Sequence, residues 1–127
     1  MSGGMTGNSL LLDTNIVLYF LSGDKTLLPL FEEKELTISV ITEPELLGYD
    51  QLNDEDITTI EQFLRQCMVI NLNDDIKKKT IYMRRTYNIK LPDAIILSTA
   101  LSLNIPLISA DKTFGKIKEG QIILYEN

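Results

Sequence analysis

Five short apolar runs, separated by stretches of helical periodicity, organise this chain. Ser9-Leu10-Leu11-Leu12 is continuous and ends at Asp13, Leu36 to Ile41 is apolar and β-branched, and Cys67 to Leu72 follows. Leu107 to Ser109 and Ile122 to Tyr125 complete the set. Between them, Asn15 to Ser22, Lys25 to Glu33, a segment opened by Thr42-Glu43-Pro44-Glu45, Asp54 to Arg65, Asp74 to Tyr87 and Pro92 to Leu103 read as helices. Asp54 to Arg65 gathers Ile57, Ile60, Phe63 and Leu64 on one face, and Asp74 to Tyr87 gathers Ile76, Thr80, Met83 and Tyr87. The last helix is apolar nearly all round, which predicts a central position. Strands that are continuously apolar and alternate with helices predict an α/β domain whose mostly parallel, five-stranded sheet is covered on both faces.

The chain has 127 residues, 44% of them apolar and 24% charged, the balance of one globular domain with its own core. Residues 9–127 are expected to form that domain and residues 1–8 a flexible leader. The longest uncharged run, Ala94 to Ala110, is broken by Asn104 and Pro106 and falls short of the roughly 20 apolar residues a bilayer needs. No basic segment followed by an apolar core opens the chain, so a cytoplasmic protein without membrane association is expected.

Composition removes much chemistry. There is no histidine and one cysteine, Cys67, which excludes Ser-His-Asp and Cys-His nucleophiles, a disulfide framework and a cysteine-histidine zinc site. Any acid or base must be a carboxylate, lysine or tyrosine. The net charge of −6 conceals a division: residues 1–64 hold two basic and twelve acidic side chains, residues 65–127 ten basic and six acidic. An acidic pocket beside a basic surface is compatible with that division, so net charge does not decide the partner.

In an open parallel sheet the ligand crevice lies outside the carboxyl ends of the strands. Asp13 ends the first strand, Glu45 follows the second by a helical turn, and Asp111 follows the fourth. Asp93 opens a helix that runs antiparallel to the strands, so its first turn lies at the same edge. Four acids from distant parts of the sequence are thus predicted to converge on one rim. Each also has a purely structural explanation. Asp13 fits a helix N-cap, Thr42-x-x-Glu45 a capping box, Asp93 a favourable place near a helix dipole, and Asp111 a turn. Their convergence favours a shared role, because carboxylates about 4 Å apart repel by roughly 4 kcal/mol per pair at an effective dielectric near 20. Such a cluster binds a cation or holds protons, and hard oxygen donors suit magnesium or manganese. A bound metal of that kind activates water and stabilises charge on a phosphodiester without histidine.

The runs Leu11-Leu12-Asp13-Thr14-Asn15, Ser39 to Gly48 (SVITEPELLG), Leu91 to Leu101 (LPDAIILSTAL) and Leu107 to Phe114 (LISADKTF) occur in an order and spacing that resemble the PIN-domain nucleases. The likeness is to the VapC-like toxins of bacterial type II toxin–antitoxin pairs and spans nearly the whole chain. It implies a three-layer α/β/α sandwich and a metal site of Asp13, Glu45, Asp93 and Asp111, with Asn15 and Ser109 as polar supports. Ser109 stands where many relatives carry threonine, and the hydroxyl is kept. The resemblance further implies hydrolysis of RNA with Mg2+ (or Mn2+) and inhibition by a cognate antitoxin. The expected partners are RNA, that antitoxin and a second copy of the chain in a homodimer.

Lys77, Lys78, Lys79, Arg84 and Arg85, with Lys90 just beyond, form the main basic group, which is either a phosphate-tracking strip or a merely solvated helix face. Lys112, Lys116 and Lys118 follow Asp111 directly; Lys112, Lys116, Arg84 and Arg85 are the candidate RNA contacts. Tyr19, Phe20, Leu27, Leu28 and Phe31 are either core or a groove for a partner segment, and Cys67 is expected to be inert packing. The alternative function is a catalytically weak PIN-like module that binds RNA or protein. A haloacid-dehalogenase-type phosphatase would need a second aspartate at position 15, where Asn15 stands, and no P-loop is present.

Overall fold

The computed structural model describes residues 8–126. The leader expected over residues 1–8 therefore lies outside the described residues except for Asn8, whose carbonyl accepts from the Glu35 N–H at 3.0 Å.

The strands are β1 (Ser9–Leu12), β2 (Glu35–Ser39), β3 (Met68–Ile70), β4 (Leu107–Ser109) and β5 (Ile122–Leu124). They form one sheet in the order β3-β2-β1-β4-β5, and every pairing is parallel. The helices are α1 (Thr14–Leu21), α2 (Leu28–Phe31), α3 (Thr42–Leu47), α4 (Asp54–Leu64), α5 (Asp74–Tyr87) and α6 (Leu91–Leu103), with 3-10 turns at Lys25–Leu27 and Lys112–Lys116.

Alternation along β1 sorts the core into two layers. Leu10 and Leu12 point to one face of the sheet, where they join Ile16 and Val17 of α1, Leu46 of α3 and Ile60, Phe63 and Leu64 of α4. Leu11 points to the other, against Met83 of α5 and Ala94, Ile96, Leu97 and Ala100 of α6. The result is the α/β/α sandwich, with the central α6 buried from Ala94 to Ala100 as its all-round apolar sequence predicts. The Asp74–Tyr87 stripe is buried at Ile76, Thr80 and Met83, while Tyr87 is half-buried. Side chains tie α5 to α6, where Ser102 Oγ donates to Asp75 Oδ2 at 2.5 Å.

Some boundaries differ from expectation for local reasons. Strand pairing after Leu36 stops at Ser39, because Ile41 already has helical dihedrals as the residue preceding α3. Pairing around Cys67 to Leu72 is confined to Met68–Ile70, at an edge of the sheet. The helix expected over Lys25 to Glu33 divides into a 3-10 turn and the single turn of α2. Pro29 lacks the N–H that would continue an α-helical ladder back to Lys25. Of the five residues read as core or groove, Leu27 and Phe31 are buried and Phe20 packs on them, whereas Tyr19 and Leu28 are exposed. Cys67 is half-buried, donates toward the Phe63 carbonyl at 3.5 Å, and has its thiol pushed up to about 11 by burial, which keeps it an unreactive thiol at neutral pH.

Strand order places the reversal of winding between β1 and β4. After β1 the chain adds β2 and β3 on one side, then returns to add β4 and β5 on the other. Helices flank both faces there, and the carboxyl ends of β1 and β4 border the crevice that this topology leaves open.

Candidate active site

Asp13 leaves β1 still fixed to the sheet, its backbone N–H donating to the Ile108 carbonyl at 3.0 Å. It is the N-cap of α1, its backbone still extended. Oδ1 accepts from the Thr14 N–H at 2.8 Å, and Oδ2 accepts from the Ser109 hydroxyl at 2.6 Å. Both bonds favour the ionised form. Even so, burial to 4% exposure dominates and raises the carboxyl above its ordinary value, with Asp111 and Glu45 adding to the shift.

Ser109, at the end of β4, is fully buried and links two acids: its oxygen also accepts from the Asp111 N–H at 3.0 Å. Asp111 is half-buried and caps the following 3-10 turn, with Oδ1 accepting from both the N–H and the hydroxyl of Thr113, at 2.9 and 2.8 Å. Turn chemistry at Asp111 and capping at Asp13 are thus both present, and both acids still reach Ser109 at the shared edge.

Glu45 departs from its structural alternative. The N-cap of α3 is Ile41, without a side-chain bond, and Thr42 already lies inside the helix, so no capping box forms. Glu45 Oε1 instead accepts from the Thr14 hydroxyl at 2.6 Å, and that hydroxyl lies 3.0 Å from the hydroxyl of Thr42. Thr14 and Thr42 are buried, while Glu45 is exposed. This hydroxyl pair went unrecognised in the sequence, although Thr14 stands beside Asp13. If Thr14 orients Glu45, Thr14→Val should lower activity about 10–100-fold, the usual cost of losing a supporting partner of a metal-site carboxylate. Thermal melts should show only about 1 kcal/mol of lost stability; an unchanged rate would remove Thr14 from the site.

Asp93 sits in the first turn of α6, half-buried, with no side-chain hydrogen bond or ion pair among the described residues. Its pKa is raised to about 6, first by burial, then by the charges of Asp13, Asp111 and Glu45, with Lys90 opposing. Asp93 thus feels three acids from three other segments, and Asp13 feels two of them, Asp111 and Glu45. Neither ion pair among the described residues, Lys77–Asp74 or Lys79–Asp75, involves any of them.

The remaining expected residues separate. Asn15 is exposed on α1 and its side chain bonds none of the acids. Lys116 lines a cleft of about 390 Å³ together with Asp93 and Asp111, whereas Lys112 is exposed and does not line it. Arg84 Nε donates to the Ile89 carbonyl at 3.3 Å, bracing the turn between α5 and α6, and Arg85 is exposed on α5. Lys90, the residue just beyond the basic group of α5, also lines the cleft.

Among the described residues, no group of three or more acidic or sulfur side chains is arranged as a ready-made metal cage. The donor set nonetheless fits a hard cation. All its donors are oxygens, none of the four is in an ion pair among the described residues, and neighbouring carboxylates add to the burial that raises Asp13 and Asp93, a cost that a cation would relieve. Magnesium keeps several waters and takes one or two carboxylates plus substrate phosphate, which does not require a closed cage.

The family model described as PIN domain matches residues 10–120. No curated protein matches the chain. Among solved structures, the chain is similar to one from a toxin–antitoxin complex of Klebsiella pneumoniae, with 30% identity, coverage of 93% of this chain and 99% of that one, and a TM-score of 0.80. It is also similar to a chain of VapBC-1 from nontypeable Haemophilus influenzae, at 27% identity, 91% and 97% coverage and a TM-score of 0.74. A chain of VapBC2 from Rickettsia felis, bound to a DNA fragment from its promoter, shares the fold at 18% identity, 93% and 99% coverage and a TM-score of 0.78.

Proposed function

This chain belongs to the PIN domain family, and from that premise we propose that it is a toxin ribonuclease that hydrolyses RNA phosphodiester bonds with Mg2+ or Mn2+ at Asp13, Glu45, Asp93 and Asp111. The observation that carries the reading is the convergence of acids from four segments on one edge of the sheet, near enough that Asp13, Asp111 and Glu45 all act on Asp93, with no ion pair to any of the four among the described residues.

Asp13 and Asp93 are the principal metal holders in this reading, with Asp111 and Glu45 beside them. A bound divalent ion would lower the pKa of a water and neutralise charge building on the phosphate. Ser109 fixes Asp13 and the backbone of Asp111 together, so the two acids keep one spacing. Thr14 holds one oxygen of Glu45 and leaves the other available to receive a proton from the attacking water. Water adds to phosphorus, one P–O ester bond breaks, and the departing oxygen takes a proton from solvent. No imidazole is needed, in keeping with a chain that has none.

The partners of this reading are an RNA substrate, a cognate antitoxin like that of the Klebsiella pneumoniae complex, and a second copy of the chain in a homodimer. Among the described residues no helix is long and apolar enough to cross a membrane.

Total RNA incubated with the protein should be degraded in Mg2+ or Mn2+ and left intact when the metal is chelated. RNA that is bound but uncut in either metal would point instead to a binding module. Cleavage that survives chelation would contradict the role given to the acids.

A further inference from the structure

The cleft of about 390 Å³ at the acidic edge has a mixed lining that the four acids do not account for. One wall comes from the turn between α5 and α6 and the start of α6, contributing Ile89, Lys90 and Asp93. The other comes from the segment after β4, contributing Asp111, Thr113 and Lys116. Two ammonium groups and two carboxylates thus share one cleft, yet neither lysine makes an ion pair with either acid. Opposite charges held side by side and unpaired suit a ligand that carries both signs, such as a phosphodiester with its divalent counter-ion. Lys90 occupies the N-cap of α6 without bonding it, so its side chain is uncommitted, and the positive end of that helix lies on the same wall.

We propose that this cleft seats one nucleotide of single-stranded RNA beside the bond being cut, with Lys90 and Lys116 gripping its phosphate from the two walls. This inference rests on reading the acids as the cleavage site. The volume lies near the lower end of the range for ligand sites, about 300–1,000 Å³, a size that suits a single nucleotide. Arg84 does not line the cleft; its Nε, donating to the Ile89 carbonyl, holds the wall that carries Lys90. Ile89, 7% exposed, gives that wall an apolar floor.

The test is the affinity of the full chain for a fluorescent single-stranded oligoribonucleotide, measured by anisotropy with Ca2+ in place of Mg2+, for wild type and two double variants. Lys90→Gln/Lys116→Gln should raise Kd about tenfold, as expected for two exposed lysine–phosphate pairs at a few tenths to one kcal/mol each. The slope of log affinity against log salt should fall by about 0.7 for each phosphate that a lysine no longer neutralises. Lys25→Gln/Lys34→Gln removes the same charge away from the cleft, both side chains being exposed, and should change Kd by less than about twofold. Equal weakening by the two double variants, or none by the first, would overturn the subsite. A Lys90/Lys116 effect of the same size on duplex RNA would overturn the single-stranded seat. Cleavage of total RNA in Mg2+ by the same preparations separates the two readings. A wild type that cleaves, with Lys90→Gln/Lys116→Gln binding equally well, defeats the subsite alone. A wild type that binds through the lysines but never cleaves defeats the nuclease reading and leaves the subsite standing.

Discussion

Asp93→Asn is expected to fold normally and to cleave RNA about a thousandfold more slowly than wild type, in line with the loss of a group that stabilises transition-state charge. The structure distinguishes this from a helix-capping role. Asp93 makes no side-chain hydrogen bond among the described residues, and its environment opposes its charge. An acid retained for helix stability should destabilise when replaced, by about 0.5–2 kcal/mol for a lost cap. Here the metal-free variant should instead gain stability at neutral pH, because a half-buried carboxylate repelled by three others is removed. Melting and activity measured on one preparation decide between these outcomes. A destabilised but active variant would mean that Asp93 serves the helix and not the chemistry.

The second large effect joins pH to metal. A carboxyl whose value is raised in the folded protein helps stability below its unfolded value, and that help disappears as pH rises through the folded value. For Asp93 the window runs from 3.8 to about 6. Metal-free protein should therefore lose stability across that range, by about 1–2 kcal/mol once solvent screening of a half-buried group is allowed for. Asp13, also raised, contributes in the same direction. Above the window the Asp93 carboxylate is ready for a cation, and metal at one hundred times its dissociation constant should restore about 2.7 kcal/mol. At about 3–5 °C per kcal/mol for a domain of this size, Tm at pH 7 should rise by roughly 10 °C. The double variant Asp13→Asn/Asp93→Asn should start higher and respond little. Equal metal shifts in the two proteins would remove the acids as the binding site.

Much of this arrangement was legible in the sequence because it depends on chain direction more than on side-chain detail. Apolar runs that ended at acids gave the strands, parallel pairing fixed which edge they share, and the antiparallel course of α6 brought Asp93 to it. The Thr14–Thr42–Glu45 cluster was not legible, since it joins residues 28 and 31 positions apart and exists only because α1 packs beside α3. The same local pattern, Thr42 three residues before Glu45, suggested a capping box that the structure lacks, because the helix begins one residue earlier than the box requires. Lys90 was legible only as a charge just beyond the basic group of α5. Its relation to Lys116 arises from the cleft, formed where a helix–helix turn meets the segment after β4.

The titration of the Asp93 carboxyl, followed by carbon NMR with and without Mg2+, tests most directly whether the four acids form one cation-binding site. In metal-free protein Asp93 should titrate near 6, and saturating Mg2+ should bring it well below that value. An Asp93 that titrates in the ordinary carboxylate range, and does not move when Mg2+ is added, would contradict the account.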